Sequence, residues 1–369
     1  SALELGNSTF GQSKPNERLS DLIYPIPVFT DEQKDAQTAQ LNDTRNTQPA
    51  LGAVSLGAWQ VLQHFGITAD FTAGHSFGEL VALHAAGRIT ADELMKLALV
   101  RGQLMAQSGD QDTSGTSGGM MAVMLDKPTV EAFLSENKLD GLIVANHNSP
   151  QQVVLSGPED QIDQAQKLLK AQKSRCKKLA VSSAFHSSFV SDAAKPFAQA
   201  LAEVNFAKTD IKVFANTTAE GYPDDVDACR DLLANQLAKP VRFVEQIENL
   251  HQAGSRTFIE VGPNRHLAGM VGSILDGKEH TLFSLDTSTG RKSGQYDLAL
   301  LLAGIASSGH AVNLTIWDGD WLDHVAAQPK RKKGFTLPVS GANARPKPSN
   351  RKPVTPKPRV QTTSQTPAK

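Results

Sequence analysis

The chain has 369 residues, of which 40% are hydrophobic and 20% charged, with a formal net charge of -1, enough to bury a sizeable core in one large domain with a smaller insert. Two cysteines, Cys176 and Cys229, offer neither a disulfide framework nor a metal-ligand set, so a reducing, cytoplasmic setting without a bound metal is expected. No apolar run is long enough to span a membrane, no signal-peptide pattern opens the chain, and the first residue is Ser1, so the sequence is expected to be a piece of a longer polypeptide.

Residues 1–46 read as polar and weakly periodic, with a turn at Tyr24-Pro25-Ile26-Pro27. From Thr47 a helix is expected. Thr47 can cap it, Pro49 suits its first turn, Leu51, Val54, Ala58, Leu62 and Phe65 mark one apolar face, and Gly66 ends it. It leads into the stretch that carries the most chemistry, Phe71-Thr72-Ala73-Gly74-His75-Ser76-Phe77-Gly78-Glu79-Leu80, where a β-prone run meets a G-x-S-x-G pentamer and then a helix. This is the pattern of a nucleophile elbow. It puts the Ser76 hydroxyl on a sharp strand-to-helix turn, flanked by Gly74 and Gly78, with the Phe77 backbone N–H and the positive helix end facing the same point. The helix is expected over residues 79–86, with Gly87 stopping it.

Thr90-Ala91-Asp92-Glu93 forms a capping box, and the helix after it has an inward stripe of Leu94, Leu97, Ala98, Arg101 and Met105. Arg101 falls where an apolar residue belongs. A buried guanidinium stays charged and needs a carboxylate, so it forms an internal ion pair, snorkels outward or meets a ligand carboxylate.

After a Gly/Ser-rich loop at 106–118, strands are expected at 120–125, 142–145, 152–155 and 175–181, with helices at 128–137 and 159–172. The β-α-β-β-α-β order is that of a ferredoxin-like unit inserted between halves of a larger α/β domain. It ends at Ser182-Ser183-Ala184-Phe185-His186-Ser187. His186 is an ordinary surface histidine or the base that a serine nucleophile requires within hydrogen-bond reach.

The chain then returns to α/β alternation, with helices at 193–204, around 229–237, from Pro240-Val241-Arg242-Phe243, after Gly262-Pro263-Asn264, and at 293–307. Strands are expected at 212–216, at 257–261 as a buried strand, and at 282–285. Residues 311–329, with Trp317 and Trp321, should wrap onto the domain surface. Residues 330–369 hold 11 Lys/Arg, seven prolines and no Asp/Glu, which leaves residues 1–329 at -12. This tail should be an extended, disordered linker; without interleaved aromatics it does not read as a nucleic-acid arm.

Thr47-Gln48-Pro49-Ala50-Leu51, Gly74-His75-Ser76-Phe77-Gly78-Glu79, Arg101-Gly102, Gly118-Gly119-Met120-Met121-Ala122-Val123, Asn146-His147-Asn148-Ser149-Pro150, Ala184-Phe185-His186-Ser187, Pro240-Val241-Arg242-Phe243 and Glu260-Val261-Gly262-Pro263 occur here in the order found in malonyl-CoA:acyl-carrier-protein transacylases. The chain resembles that family from about residue 25 to residue 323. It is most similar to the acyltransferase region of the multidomain subunit of a bacterial polyunsaturated-fatty-acid synthase.

The resemblance implies an α/β fold with an α/β-hydrolase-like large subdomain, built on a parallel sheet, at 1–118 and 185–286. It places a ferredoxin-like small subdomain at 119–184, a C-terminal helix and wrap at 287–329, and the linker at 330–369. It implies Ser76 as nucleophile, His186 as base and the Gln236 backbone carbonyl as the group orienting the imidazole. Arg101 would pair with the free malonyl carboxylate; Gln48, His75, Phe185 and Met120 would line the acyl pocket, with Phe185 favouring malonyl. The Phe77 N–H would be one oxyanion donor. The family's opening strand and G-Q-G-x-Q loop, which supply the other, have no counterpart here, since Gly11-Gln12 is a poor substitute.

No permanently bound cofactor is implied. The substrates would be malonyl-CoA and the phosphopantetheine arm of acyl carrier protein domains, in tandem downstream, with a ketosynthase domain upstream and neither nucleic acid nor membrane as partner. Lys177, Lys178 and Arg242 are candidates for carrier docking. Two rivals remain, a serine hydrolase or thioesterase and a truncated, inactive scaffold domain. The hydrolase fits poorly because such enzymes place the histidine late in the chain and have no use for Arg101.

Overall fold

The computed structural model describes residues 1–110, 118–179, 184–187, 190–319 and 326. The chain divides into a unit at Ser1–Trp317 and a second at Asp318–Lys369, which lies almost wholly outside the described residues together with Trp321 and the basic tail. Trp317 packs on Phe65, with ring centroids 5.8 Å apart.

The segment before the elbow is helical where the sequence reads as featureless. It holds α1 (Ala2–Ser13), α2 (Leu19–Ile23), α3 (Asp31–Asn42) and α4 (Thr44–His64). A capping box between Ser1 and Glu4 starts α1, whose buried positions Ala2, Gly6, Thr9 and Phe10 are mostly small or polar and so leave little hydropathy signal. Helix α3 is capped by Thr30 and buries no residue. Gly11 and Gln12 belong to α1 rather than to a loop after a strand.

Helix α4 starts earlier than expected, because Asp43 caps it through the Arg45 N–H, while the Thr47 hydroxyl donates to Leu41 O at 2.6 Å. Pro49 consequently lies inside the helix. The buried face is also rotated. It carries Gln48, Ala53, Leu56, Trp59 and Leu62, whereas Leu51, Val54 and Ala58 are half-buried.

Strand β1 (Phe71–Ala73) leads through the elbow into α5 (Gly78–Ala85), which ends before Gly87 at φ 77°. Helix α6 (Ala91–Asp110) opens on the expected capping box, Glu93 N–H to Thr90 Oγ1 and Thr90 N–H to Glu93. It buries all five stripe residues, Leu94, Leu97, Ala98, Arg101 and Met105. It runs through residues expected to be loop, and the rest of that loop, 111–117, lies outside the described residues.

The insert comprises β2 (Gly118–Val123), α7 (Lys127–Glu136), β3 (Ile143–Ser149), β4 (Gln152–Pro158), α8 (Glu159–Ala171) and β5 (Cys176–Lys178). Its antiparallel sheet has the order β3-β4-β2-β5, the ferredoxin-like arrangement, over a core that includes Met121, Val130, Val153, Leu155, Ile162 and Leu169. Strand β5 is shorter than expected, and part of the segment after it, 180–183, lies outside the described residues. Strand β3 also reaches the large subdomain, since His147 N–H donates to Val241 O and Val241 N–H to Ala145 O.

The second half holds α9 (Ser191–Ala202), β6 (Lys212–Phe214), α10 (Val226–Asn235), a short 3-10 turn at Gln236–Ala238, α11 (Phe243–Gln252), β7 (Thr257–Glu260), α12 (His266–Ile274), β8 (Thr281–Ser284) and α13 (Gly294–Ser307). Among the described residues the expected parallel sheet is two separate pairs, β1 with β6 and β7 with β8. One face of each pair packs on the same two helices. Phe71, Phe214, Phe258 and Leu282 share a cluster with residues of α11 and α12, while Ile259 and Phe283 pack with Trp59 and Leu62 of α4 and Leu301 and Ile305 of α13. Each strand has one strand partner, so the four residues of β7 are half-buried rather than the buried strand expected. No described helix is long and apolar enough to cross a membrane.

Candidate active site

Ser76 occupies the left-handed region at φ 52°, between the last residue of β1 and the first turn of α5. The turn is tight enough that a Cβ on Gly74 would overlap the backbone of Gly78, whereas a Cβ on Gly78 would meet nothing within 4 Å. Only Gly74 is therefore sterically obligatory. The Phe77 N–H donates to no acceptor among the described residues and stands at the start of α5, where the unpaired amides of a helix end favour a developing oxyanion.

His186 is 3% exposed, and its Nε2 lies 2.7 Å from Ser76 Oγ. Its Nδ1 is 3.1 Å from both Gln236 O and Lys239 O. Carbonyls only accept, so these partners put the ring proton on Nδ1 and leave Nε2 to take the serine proton. The His186 N–H also donates to Leu237 O, which holds the residue in its own left-handed conformation at φ 58°. No carboxylate contacts the ring among the described residues. The arrangement is a dyad oriented by main-chain carbonyls.

Arg101 is 1% exposed and pairs with no carboxylate among the described residues. Its Nη1 donates to Gln48 Oε1 at 2.8 Å, and its Nη2 to Gln236 Oε1 at 3.1 Å and Ser76 Oγ at 3.2 Å. Of the three alternatives open on sequence, the side chain does not snorkel and has no bonded ion-pair partner among the described residues. Gln48 completes its own bonds with a contact from Nε2 to Met105 Sδ at 3.2 Å. Gln236 does more than meet the imidazole with its carbonyl, because its side chain links Arg101 to the elbow through Nε2 to Ser76 O at 2.8 Å.

His75 is half-buried, with Nε2 2.7 Å from Asn148 Oδ1 and its ring edge-on to Phe243 at 5.3 Å. Met120 and Phe185 meet in one apolar cluster with Ala145 and Val154. Of the docking candidates, only Lys177 stands exposed and outside the described ion pairs. Lys178 is neutralised by Glu159 at 2.7 Å and Asp163 at 2.8 Å, and Arg242 lies 3.7 Å from Glu245.

Sequence reasoning missed the support beneath the elbow. The pairing of β1 with β6 ends at Ala73 opposite Phe214, and two residues later the Asn216 side chain continues the ladder. Its Oδ1 accepts from Ser76 N–H at 2.6 Å and its Nδ2 donates to Gly74 O at 2.6 Å and to Gln246 Oε1 at 3.0 Å. The carboxamide thus stands in for a peptide unit where the strand has turned away. Glu79 accepts from Asn216 N–H and from the Tyr222 hydroxyl. Glu79 belongs to the quoted motif, but Asn216 and Tyr222 are more than 130 residues from Ser76 and Glu79 and carry no linear signal.

Burial, the Arg101 charge and His75 push the His186 imidazole down to about 3, so the ring is neutral throughout the physiological range. Burial also depresses His75 against its bond to Asn148. The Glu79 carboxyl is raised to about 7 by burial, opposed by Tyr222, Asn216 and Arg101, and Arg101 is lowered to about 10, again by burial. No group of three or more residues suited to hold a metal occurs among the described residues.

A serine in a strained elbow, a neutral imidazole on its hydroxyl and a helix-end amide beside it are the parts of an enzyme that passes acyl groups through a serine ester. The family described as acyl transferase domain matches residues 20–282, and the chain belongs to it. It is 33% identical over 336 residues to a polyunsaturated fatty acid synthase subunit of Thraustochytrium sp., covering 90% of this chain but only 12% of that protein. It is 33% identical over 261 residues to malonyl CoA-acyl carrier protein transacylase of Bacillus subtilis, covering 70% of this chain and 78% of that one. Among solved structures it is similar to a malonyl-transacylase in complex with a type II polyketide acyl-carrier protein, with a TM-score of 0.68, 29% identity and coverage of 81% and 91%.

Proposed function

We propose that the chain moves a malonyl group from malonyl-CoA, through an ester on Ser76, to the phosphopantetheine thiol of an acyl carrier protein in fatty-acid or polyketide biosynthesis. The observation that carries this reading is Arg101, a buried cation with no bonded carboxylate among the described residues and one nitrogen 3.2 Å from the Ser76 oxygen. A guanidinium so placed is ready for a bidentate pair with a carboxylate one methylene beyond the reacting carbonyl.

His186 Nε2 takes the Ser76 proton as Oγ attacks the thioester, the Phe77 N–H receives the oxyanion, and the imidazolium returns its proton to the departing CoA sulfur. The carrier thiol reverses these steps on the ester. Gln48 and Gln236 hold Arg101, His75, Met120 and Phe185 shape the acyl pocket, and no bound cofactor is needed. The parent polypeptide carries a ketosynthase upstream and tandem carriers downstream, acts in the cytoplasm, and divides at the boundaries expected from the sequence. A hydrolase reading loses ground because His186 rests on carbonyls, and free malonate rather than carrier-bound malonate as product would restore it.

The test is intact-mass spectrometry after brief exposure to malonyl-CoA. A malonyl adduct is expected on the native chain, none on Ser76→Ala and much less on Arg101→Ala. If the native chain stays unmodified, the same experiment on a polypeptide extended by a strand and G-Q-G-x-Q loop decides. One recovered oxyanion donor should restore on the order of 10²–10³ in rate, and continued silence rejects the transferase.

A further inference from the structure

Two buried groups of opposite charge lie under the elbow without touching one another. Arg101 and Glu79 are each 1% exposed, and both are tied to Ser76, Arg101 through the serine hydroxyl and Glu79 through Asn216, whose N–H it accepts and whose side chain holds the Ser76 N–H. Every hydrogen bond of Arg101 goes to a neutral acceptor, from Gln48, Gln236 and Ser76. Both bonds of Glu79 come from neutral donors, the Tyr222 hydroxyl and the Asn216 N–H. A buried guanidinium without a counter-charge is costly, and Glu79 is the buried carboxylate that the Asn216–Ser76 bonds connect to it.

Malonyl transfer brings a second carboxylate to Arg101, that of the acyl group. Two carboxylates would then share one buried cation, and like charges so placed do not both stay ionised. The acyl carboxylate contacts the guanidinium directly, so Glu79 is the one to become neutral. We propose that Glu79 serves as the counter-ion of Arg101 before substrate arrives and takes up a proton when a carboxylate-bearing acyl group docks on that guanidinium.

Glu79 is suited to the change. As a carboxylate it accepts from both partners; as an acid it donates to Tyr222 Oη and still accepts from Asn216 N–H. Its raised titration near 7 makes the proton available at working pH. The other titratable groups facing it are Tyr222, which follows β6, Arg101 on α6 and Cys229 on α10. Tyr222 and Cys229 are both held above their ordinary ranges and stay neutral, so neither supplies the counter-charge. Glu79 touches neither substrate nor nucleophile. It is a positioning residue that balances charge and, through Asn216, steadies the Ser76 N–H. The consequence is selectivity: carboxylate-bearing and neutral acyl groups differ in proton stoichiometry, so raising the pH should weaken the first class only.

The test is calorimetric titration of the full chain, in two buffers of unlike ionisation heat, with malonyl-CoA and acetyl-CoA analogues whose thioester sulfur is replaced by methylene. At pH 7.5 the malonyl analogue should bind with uptake of a large fraction of a proton and the acetyl analogue with almost none. Glu79→Gln mimics the protonated acid and should remove the difference; Tyr222→Phe, which deletes a bond to the carboxylate, should move half-maximal uptake to higher pH. Equal uptake for both analogues, or uptake retained in Glu79→Gln, would overturn the proposal. If Glu79→Gln fails to fold, an unshifted profile in Tyr222→Phe would do so. The inference rests on the malonyl-transfer reading, and the outcomes separate: no binding of the malonyl analogue refutes that reading, while binding without proton uptake refutes this one alone.

Discussion

At the scale of single residues, the site depends on side chains with two duties. Gln236 offers its backbone carbonyl to His186 and its side chain to Arg101 and Ser76 O, so His186, Arg101 and Ser76 are held from one position. Asn216 has the same economy, bonding the amide of Ser76 and the carbonyl of Gly74. Replacing Asn216 by leucine keeps the branched shape but strands both groups, and Gln246 Oε1 with them, and a buried polar group left unsatisfied costs about 1–3 kcal/mol. Asn216→Leu should lose at least about 2 kcal/mol in urea unfolding. Its acylation rate should fall more than its affinity for malonyl-CoA, because the nucleophile moves while the Arg101 pocket stays. A rate loss expressed only in KM would contradict this assignment.

At the scale of elements, the strand-to-helix elbow sets what its two glycines tolerate. Alanine at Gly74 cannot be accommodated without moving the first turn of α5, since its methyl would occupy the space of the Gly78 backbone. Gly74→Ala should therefore abolish acylation of Ser76 and lower the unfolding midpoint. Alanine at Gly78 points into open space at the first position of α5, where it favours the helix by up to about 1 kcal/mol. Gly78→Ala should unfold at or above the native midpoint, and circular dichroism melts of the two variants check the contrast. The sequence pattern treats these glycines alike; their difference follows from which backbone passes close to which.

At the scale of the molecule, stability should depend on pH through the buried charges. Glu79 is raised from 4.5 to about 7, so its contribution is fully present below about 4.5 and is lost as pH rises through about 7. The shift amounts to about 3 kcal/mol. Glu79→Gln lacks this titration and should gain stability relative to the native chain by roughly that amount between pH 4.5 and 8. His186 runs in the opposite sense. Its depressed value makes stability fall as pH drops from about 6.5 towards 3, equally in both proteins, so the difference isolates Glu79. Denaturant unfolding at several pH values measures it, and a pH-independent difference would contradict the assignment.

The elbow, the capping box of α6, the inward stripe with Arg101, and the order of strands and helices in the insert were legible in the residues, because each depends on neighbours within a turn or two. The motif order pointed to Ser76, His186 and Arg101 together, and the structure brings them within 3.2 Å of a common oxygen. The helical character of residues 1–46 was not legible, since α1 buries mostly small or polar residues beside Phe10 and α3 buries none. Nor was the start of α4, where several capping residues compete locally and tertiary packing rotates the buried face. Asn216, Tyr222 and the side-chain duty of Gln236 needed the tertiary structure, because hydrogen bonds across more than 130 residues leave no period or spacing in the chain. Local chemistry thus determined which residues could react, while the burial of Glu79, Arg101 and His186, which only the folded chain decides, sets the charges with which they do so.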